Sequence, residues 1–473
     1  MFQLQANKAS VKTEIIAGIT TFLTMMYILF ANGAILADAG MPVQGVFIAT
    51  ALSASVGTLI VCLFANVPFA MAPGMGLNSM FVHTICLGAG YHWKEALAIT
   101  FLAGIVHAVV MFSPFRKSFV DAIPESLRIA SGAGLGLFIA YIGLDNAGFL
   151  SFTISPGQYR ILSDHRVVTD TNIIPGFLAS FGSKQLVAIA ATIIMLFLLS
   201  REKIGKEWFG ALPISILAAT FIGLPMNAPL LQNKTIVLSD AFAEFVQISF
   251  SFFGSPGLGS IFSDTRTSLH TLLLIMLISM TSMLDSVGTM IGIGHVEGYE
   301  IFDEEDDVRF KMAEMTSKQD RTLLSNAIGD CIAPLFGSSP SAVYLESVTG
   351  VVSGGRTGLT GLVVSLMFIL CIPAAAFFSI IPIEAVSPVI FYAGMSMMVR
   401  VRQINWRDFD EAIPAFLVIL IVPTSYSIID GFCVGLICHL AISIAMGKKK
   451  QVHPILVIIC LIYVLLKVGG TML

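Results

Sequence analysis

The sequence predicts an all-α membrane protein that crosses the bilayer many times. Hydrophobic residues make up 56% of the 473 positions and charged residues only 12%, with a mean hydropathy of +0.87. Soluble domains average about 25% charged residues. Apolar runs recur from residue 14 to residue 470, and each is close to the roughly 20 residues that a helix needs to cross a bilayer. No stretch remains for a separate soluble domain.

Gly, Pro and charged residues divide the apolar sequence into fourteen predicted membrane segments, of which the third and tenth are short and broken. The segments lie near residues 14–36, 45–66, 70–87, 95–113, 127–149, 185–200, 210–224, 266–294, 322–336, 340–352, 358–380, 385–401, 411–426 and 428–446. A final apolar run, 454–468, is compatible with a fifteenth span, an interfacial helix, or the true last span if 411–446 is one bent element.

The distribution of basic residues predicts a cytoplasmic N-terminus, in a multi-pass protein compatible with a bacterial inner membrane. The first apolar run is too long for a signal peptide and lacks a small-residue cleavage site, so it is predicted to be the first span. Basic residues concentrate in cytoplasmic loops. With the N-terminus inside, the inside loops hold nineteen: Lys8, Lys12, Arg116, Lys117, Arg128, Arg201, Lys203, Lys206, Arg309, Lys311, Lys318, Arg321, Arg356, Arg400, Arg402, Arg407, Lys448, Lys449 and Lys450. The outside loops hold six: Lys94, Arg160, Arg166, Lys184, Lys234 and Arg266.

Several classes of ligand are not expected. The seven cysteines stand singly in apolar runs without metal-type spacing, so they are interpreted as small core residues, and no metal or cofactor is predicted. No basic tract suggests nucleic acid. The inside loop 295–321 contains the acidic run 303–307, which is interpreted as a solvated surface. The outside stretch 241–253 is predicted to lie in the membrane interface.

The two broken segments are the most informative feature of the organisation. They are 68–81, PFAMAPGMGLNSMF, and 335–350, LFGSSPSAVYLESVTG, seven segments apart. Short segments interrupted by Gly and Pro at corresponding places in two halves are typical of inverted-repeat transporters. An odd number of spans in each half gives the halves opposite orientations, so the two segments are predicted to face each other at mid-membrane.

Two carboxylates are predicted to lie at this depth. Glu346 belongs to the second broken segment, and Asp285 lies in the apolar eighth segment on one helical face with Ser282 and Thr289. Gly288, in the same segment, would let another backbone approach closely. An ionisable residue inside the membrane is expensive unless it has a partner, and it therefore marks a candidate functional site.

The combination of helix N-termini with carboxylates favours a flat heterocycle, or alternatively a cation, over a simple anion. Backbone N–H groups at a helix N-terminus can serve ring acceptors, while a carboxylate accepts N–H bonds along one edge of the ring. Phe81, Tyr344 and Phe138 are candidates to stack on its face. A carboxylate in a low-dielectric site can take up a proton near neutral pH, so proton symport is predicted. Asp285 is the predicted coupling group and Glu346 the predicted ligand contact, and the two carboxylates are expected to titrate as a pair.

Six strings together resemble the purine (hypoxanthine, guanine, adenine) permease branch of the nucleobase:cation symporter-2 family. They are 21–28 TFLTMMYI, 72–78 APGMGLN, 134–148 GLGLFIAYIGLDNAG, 284–289 LDSVGT, 344–347 YLES and 354–360 GGRTGLT. The resemblance covers nearly the whole chain in order. It implies that Asp285, Glu346 and Asn78 hold the purine. Ser282 and Ser339 are additional candidates for substrate binding beside these residues. The resemblance also implies proton-coupled uptake without enzymatic activity.

The resemblance further implies a fold of two inverted seven-span repeats, divided between two domains that move in an elevator-like manner. The core domain would comprise residues 14–113 and 266–380 (segments 1–4 and 8–11), and the gate domain residues 127–224 and 385–470 (segments 5–7 and 12–14). A homodimer formed through the gate domain is expected.

The chain departs from the family pattern at Ser282, where many relatives have Asp, at 338–342 (SSPSA) and at Asn32-Gly33. Hypoxanthine and guanine are favoured as substrates; adenine, xanthine, uracil or an anion on the same fold remain alternatives.

Four other polar residues have a structural interpretation beside a functional one. His107 is a proton-relay candidate but more typical of a neutral core histidine, as is His439. Asp330 is expected to cap the broken tenth segment, and Arg356 to anchor the chain at the cytoplasmic side. An enzyme is disfavoured because no paired-His or nucleophile–base spacing occurs, and a channel because the repeat lies within one chain.

Overall fold

The computed structural model describes most of the chain, and its regular structure is mainly helical. The described residues are 2, 4–5, 7, 9–113, 124–154, 159–161, 167–169, 173–177, 182–200, 214–223, 238–262, 265–296, 299–300, 318–344, 346–373, 375, 381–425, 428–447, 456–457, 460–461 and 463–464. The α-helices are α1 (Val11–Met25), α2 (Ile28–Ala37), α3 (Val43–Phe64), α4 (Met75–Ser79), α5 (Trp93–Phe112), α6 (Glu125–Asn146), α7 (Ser183–Ser200), α8 (Ile214–Gly223), α9 (Leu238–Ile248), α10 (Thr265–Gly294), α11 (Lys318–Leu335), α12 (Ser347–Val352), α13 (Gly358–Leu370), α14 (Ile383–Met397), α15 (Phe409–Ser425) and α16 (Ile428–Ala445). A π-helix, Met80–Gly88, continues α4, and 3₁₀ turns cover Ser251–Phe253 and Met398–Gln403.

The described strands form four antiparallel pairs. They are β1 (Met71–Pro73), β2 (Leu150–Ile154), β3 (Tyr159–Ile161), β4 (Val167–Thr169), β5 (Ile173–Phe177), β6 (His295–Val296), β7 (Tyr299–Glu300) and β8 (Ser341–Val343). Three of the pairs connect neighbouring parts of the chain: β2 with β5, β3 with β4, and β6 with β7. The fourth pair, β1 with β8, joins strands that are about 270 residues apart in the sequence. This last pair lies in the two segments that Pro and Gly interrupt.

Four described helical stretches are long and apolar enough to cross a membrane: Val11–Ala37, Val43–Phe64, Trp93–Phe112 and Glu125–Asn146. Six further apolar helices of 10–17 residues lie between residues 184 and 445. The helices coincide with the predicted segments, most ends differing by four residues or fewer, but α13 ends at Leu370 rather than near residue 380. The predicted acidic run 303–307 lies outside the described residues.

Two helix pairs pack closely through glycine. A Cβ on Gly104 of α5 would lie 2.8 Å from the backbone of Asp330 in α11, and a Cβ on Gly358 of α13 would lie 2.0 Å from the carbonyl oxygen of Cys62 in α3. Small residues of this kind allow the close backbone approach that drives helix association in membranes. Each pair joins a helix from the first half of the chain to one from the second half, and the glycine lies on the first-half helix in one pair and on the second-half helix in the other.

A second group of helices, α6 with α14, α15 and α16, packs in the same way. A Cβ on Gly136 of α6 would lie 2.6 Å from the carbonyl oxygen of Gly394 in α14. The final apolar run contacts this group, because the Tyr463 hydroxyl donates to Asp430 at the start of α16 over 2.8 Å.

The predicted interfacial stretch forms α9 and the 3₁₀ turn Ser251–Phe253. Its apolar residues Phe242, Val246 and Phe253 are 43%, 68% and 58% exposed. Glu244 accepts from the backbone N–H of Gly45 at 2.9 Å, which fixes the helix to the start of α3. Exposed apolar residues beside a polar contact are consistent with the predicted interfacial position.

The buried start of α13 is capped by a carboxylate from α1. Glu14 is fully buried, and it accepts the backbone N–H groups of Arg356 at 2.9 Å and Thr360 at 3.1 Å and the Thr360 hydroxyl at 2.6 Å. A helix N-terminus leaves N–H groups without intrahelical partners and favours negative charge. Glu14 thus joins the first helix to the thirteenth through the polar start of the latter.

Glu14→Ala is expected to destabilise the protein, because each buried donor left without an acceptor costs about 1–3 kcal/mol. Thermal unfolding in detergent measures the effect. Glu14→Gln keeps one acceptor oxygen and is expected to lose less. An alanine variant that unfolds at the wild-type temperature would show that the cap contributes nothing.

Candidate functional site

The centre of the molecule is the strand pair formed by β1 and β8. Met71 lies opposite Val343 and Pro73 opposite Ser341, and every residue of both strands is buried. The pairing extends beyond the strands, because the Gly74 N–H donates to the Pro340 carbonyl at 3.0 Å. Unpaired backbone groups are very unfavourable in a bilayer, and this cross-pairing supplies partners for backbone that Pro and Gly keep out of helical form.

Each strand leads directly into a short helix, β1 into α4 and β8 into α12. Since the strands are antiparallel, the two helices leave the strand pair in opposite directions with both N-termini near it. A helix N-terminus presents free N–H groups and a partial positive charge. The local sequence explains the breaks: Pro73 and Gly74 precede α4, while Pro340 and Gly337, which has a φ of +85°, precede β8.

Side chains from neighbouring helices hold the outer ends of the strands. The Thr58 hydroxyl of α3 accepts from the Met71 N–H at 2.9 Å. Asn326 of α11 accepts from the Val343 N–H at 3.1 Å, and the Ser347 hydroxyl accepts from the Ala70 N–H at 3.0 Å. The strand pair is therefore fixed by helices from both halves of the chain.

One of the predicted carboxylates, that of Glu346, lies beside these helix N-termini. Glu346 is half-buried at the N-cap position of α12, and its Oε1 accepts a hydrogen bond from the Tyr27 hydroxyl at 2.7 Å. Tyr344 lies within electrostatic reach of both Glu346 and Asp285. Asp285 of α10 and Glu346 thus both act electrostatically on the same aromatic side chain.

A buried cluster of amides and hydroxyls lies at the segments that flank the strand pair, where Ser338 and Ser339 precede β8 and Asn78 follows β1. Ser339 donates to the Asn78 side-chain oxygen, and the Asn32 amide donates to Thr50 at 2.7 Å and to Ser338 at 3.0 Å. Asn78 is fully buried, and its Nδ2 has no hydrogen-bond partner among the described residues. A buried donor of this kind is unfavourable unless a ligand or water uses it.

Two members of this site were not identified from the sequence. Tyr27 belongs to the string TFLTMMYI, yet its contact with Glu346 joins residues far apart in the chain. Asn32 is a fully buried amide in the apolar helix α2. A polar side chain within a membrane span is itself a signal for a partner, so Asn32 was recognisable as a candidate even though Ser338 was not recognisable as its acceptor.

The three predicted aromatic residues are all buried. Tyr344 donates its hydroxyl to the Pro73 carbonyl at 2.6 Å, which joins the end of β1 to the segment after β8. Phe81 and Phe138 are fully buried, and the Phe138 ring meets His83 edge-to-face at a centroid distance of 5.6 Å. In this conformation none of the three rings presents an open face to solvent.

Ser282 and Asp330 make contacts different from those the sequence suggested. Ser282, predicted beside the ligand, donates to Asp330 Oδ2 at 2.5 Å. Asp330 was expected to cap the broken tenth segment, but its Oδ2 lies 2.7 Å from His107 Nδ1. The reason is the close packing of α5 on α11 at Gly104, which brings the histidine to the carboxylate.

The remaining predicted residues have structural contacts. His439 Nδ1 lies 3.4 Å from the Asp410 carbonyl oxygen. Arg356 donates to the carbonyls of Val351 at 2.6 Å and Gly355 at 2.8 Å, which satisfies the end of α12. The described residues include no group of three or more His, Cys, Asp or Glu side chains that could hold a metal ion.

These features define a class of protein. A helical membrane protein in which two broken helices meet head to head at a buried polar centre has the architecture of a secondary transporter. Two solved structures share the fold. The transmembrane domain of the cyanobacterial bicarbonate transporter BicA matches with a TM-score of 0.60 at 15% identity, over 90% of this chain and 97% of its own. SLC26A9 matches with a TM-score of 0.62 at 14% identity, over 94% of this chain and 67% of its own.

Sequence comparison identifies the family. The model of the Permease family Xan_ur_permease matches residues 12–434. The guanine/hypoxanthine permease PbuO of Bacillus subtilis is 33% identical over 480 residues, which cover 98% of each chain. The adenine permease AdeP of Escherichia coli is 30% identical, over 98% of this chain and 94% of its own. The chain belongs to this permease family, the nucleobase:cation symporter-2 family that its motifs indicated, and it is a transporter rather than an enzyme.

Asn32→Ala is expected to destabilise the site, because it removes three buried hydrogen bonds that connect α2 to Thr50 of α3 and to Ser338 and Ser339 before β8. The loss is expected to be about 1–3 kcal/mol, measured by thermal unfolding in detergent. Asn405→Ala is the matched control, since Asn405 is exposed and bonds only locally, to Asp408 among others. Equal unfolding temperatures for the two variants would contradict the role of Asn32.

Proposed function

We propose that the protein takes up purine nucleobases together with protons, and that hypoxanthine and guanine are its preferred substrates. The observation that carries this proposal is the β1–β8 pair, with Glu346 at the start of α12, the Asn78 Nδ2 of α4 without a hydrogen-bond partner among the described residues, and Asp285 within electrostatic reach of Tyr344. The site offers acceptors, donors and aromatic walls together. A planar heterocycle with N–H groups on one edge and acceptor atoms on another matches that set.

The chemistry of Glu346 favours one edge of the purine. Hypoxanthine and guanine carry an N1–H beside a C6 carbonyl, and guanine adds an exocyclic amino group, so a carboxylate can accept one or two N–H bonds. Adenine presents a lone pair at N1, which a carboxylate repels. Because the Tyr27 hydroxyl bonds Glu346 Oε1, it orients the carboxylate for this contact. Asn78 and the N–H groups of α4 would then bind the acceptor atoms of the ligand.

We further propose fourteen spans in two inverted repeats. The antiparallel pairing of β1 with β8 supports this arrangement, as does the similar packing of α5 on α11 and of α13 on α3. The first four and the eighth to eleventh segments would form the core domain, residues 14–113 and 266–380. The gate domain would be residues 127–224 and 385–470. Movement of core against gate would carry the purine across the bilayer.

The topology and assembly are part of the same proposal. The protein lies in the inner membrane with a cytoplasmic N-terminus, as the basic residues favour, and it forms a homodimer through the gate domain. Tyr392 of α14, on the gate side, lies within electrostatic reach of Tyr27 on the core side. The candidate site would therefore border the surface along which the two domains move.

Proton coupling follows from the cost of charge at this depth. Two carboxylates in one low-dielectric site repel each other, so uptake of one proton removes this repulsion and lowers the charge that must cross the membrane from two to one. Asp285 would exchange this proton and Glu346 would contact the purine. Exchange of the proton on both sides of the membrane would couple its gradient to purine accumulation.

The test is uptake of radiolabelled hypoxanthine into proteoliposomes, with and without an imposed proton gradient. Accumulation that depends on an inwardly directed gradient is expected. Unlabelled guanine, adenine, xanthine, uracil and bicarbonate serve as competitors, and guanine is expected to compete best. Uptake that neither concentrates hypoxanthine nor responds to the gradient would reject symport, while competition by bicarbonate alone would favour an anion carrier.

Glu346→Gln is expected to lose purine binding while the protein still reaches the membrane, because an amide presents donor atoms where the carboxylate accepts. Tyr27→Phe keeps the Glu346 carboxylate but removes the hydrogen bond that orients it, so the KM for hypoxanthine is expected to rise about 10–150-fold, the equivalent of one hydrogen bond to a charged group. Tyr463→Phe is the matched control, because the Tyr463 hydroxyl donates to a carboxylate outside the candidate site, that of Asp430, at 2.8 Å. Unchanged affinity in Glu346→Gln would remove this residue from the site.

Asp285→Asn is expected to abolish accumulation against a gradient but to retain exchange of labelled for unlabelled purine. The amide fills the same volume and cannot release a proton. Counterflow and gradient-driven uptake in the same proteoliposomes separate the two activities. A variant that still concentrates hypoxanthine would show that Asp285 is not the coupling group.

A further inference from the structure

A second buried ionisable cluster lies among α5, α10 and α11. Asp330 Oδ2 lies 2.7 Å from His107 Nδ1 and accepts from the Ser282 hydroxyl at 2.5 Å. All three residues are at least 99% buried. Ser282 precedes Asp285 by three residues on the same helix, so one turn of α10 connects this cluster to the candidate site.

The cluster has unused hydrogen-bonding capacity. Within the described part of the chain, neither His107 Nε2 nor Asp330 Oδ1 has a hydrogen-bond partner. A pair required only for packing would be expected to satisfy all its polar atoms, because each orphaned group is costly in a low-dielectric interior. The two free atoms leave room for one proton to change position or to leave.

Few other ionisable groups face the pair. From α10 it faces Ser282, whose helix carries Asp285 one turn further along, and from α11 the neighbouring Cys331 lies within electrostatic reach of Asp330. The helix α3 and both central strands contain no acidic or basic residue. The π-helix that packs on α5 contains two ionisable side chains, Cys86 and His83, and His83 contacts Ser79 and Phe138. The charge of the pair therefore depends mainly on its own protons.

The number of protons decides whether the pair is tolerated in its buried form. A neutral imidazole beside an ionised carboxylate carries one negative charge. One additional proton, on either group, makes the pair net neutral. Without that proton it is a lone buried anion, which is strongly unfavourable away from water. Release of the proton therefore requires water to reach the pair or α10 to move relative to α5 and α11.

The opposite helix pair shows that packing alone needs no charge. Where α3 packs on α13, the Ser55 and Ser365 hydroxyls form a buried hydrogen bond of 2.8 Å. Both helix pairs use glycine for close approach, but one is joined by two neutral hydroxyls and the other by an ionisable pair. The His107–Asp330 contact thus provides a function that the hydroxyl contact does not.

We propose that His107 and Asp330 form a second proton-holding site, and that its protonation is transmitted through Ser282 to α10 and hence to Asp285. His107, Asp330 and Ser282 are positioning residues in this scheme, since they act on the site through the helix. The inference rests on the proposed proton-coupled function. It assigns the buried pair the task of holding α10 in place while protonated and releasing it when the proton leaves.

The test compares Asp330→Asn with wild type in proteoliposomes over a series of pH values. The amide keeps its size and can still bond Ser282 but cannot titrate. Gradient-driven hypoxanthine accumulation is expected to fall at least about tenfold and the pH profile of uptake to shift by about one unit or flatten. Counterflow should persist. Ser365→Ala is the matched control and should keep the wild-type profile.

The outcomes separate the inference from the function on which it rests. Wild-type protein that ignores the proton gradient rejects the proposed function, whatever the variants do. Wild-type protein that responds, together with Asp330→Asn of unchanged accumulation and pH profile, rejects the inference alone. Loss of counterflow in a variant with normal thermal unfolding would assign Asp330 to purine translocation and also overturn it.

Ser282→Ala provides a milder variant in case Asp330→Asn does not fold. It leaves the His107–Asp330 pair in place and removes its connection to α10. Accumulation is expected to weaken while purine exchange persists, with a pH profile displaced from that of wild type. A Ser282→Ala protein with wild-type accumulation at every pH would reject the proposed connection.

Discussion

The structure depends on one interaction, the antiparallel backbone pairing of β1 with β8 in the buried centre of the molecule. Two spans are interrupted there, and interrupted backbone survives in a membrane only when its polar groups are satisfied. Each strand supplies the partners that the other lacks, and Thr58, Asn326 and Ser347 complete the set. Because the strands are antiparallel, the helices that follow them have their N-termini on the same buried centre.

The properties of the site follow from that geometry. The helix N-termini favour negative charge, and Glu346 occupies the N-cap position of α12 with Tyr27 as its donor. Asn78 follows β1 closely and leaves an amide donor unused among the described residues. The chain shares its fold with BicA and SLC26A9 and its family with guanine/hypoxanthine and adenine permeases. The fold alone therefore does not determine the substrate, and it is the side chains at the strand pair that support the proposal of a purine.

The carboxylates inside the molecule differ in the partners that they contact. Glu14 accepts backbone N–H groups and caps α13, which is a structural task with fixed partners. One oxygen of Asp330, Oδ2, contacts both His107 and the Ser282 hydroxyl, while the other, Oδ1, has no hydrogen-bond partner among the described residues. Asp285 and Glu346 both lie within electrostatic reach of Tyr344. Glu14 and Asp330 thus differ in their hydrogen bonding, since Glu14 caps a helix with both oxygens while Asp330 leaves one oxygen without a partner among the described residues.

The sequence by itself determined the membrane class, the positions of the helices and the two breaks, because hydropathy and the backbone limits of Pro and Gly are local properties. It also singled out Asp285 and Glu346, since a charge in an apolar run is visible without coordinates. Only the tertiary structure decided that Tyr27 bonds Glu346, that Ser282 turns to Asp330, and that Asp330 pairs with His107 rather than capping β8. Those contacts join helices far apart in the chain, and they depend on how closely glycines let the helices approach, which no local pattern encodes.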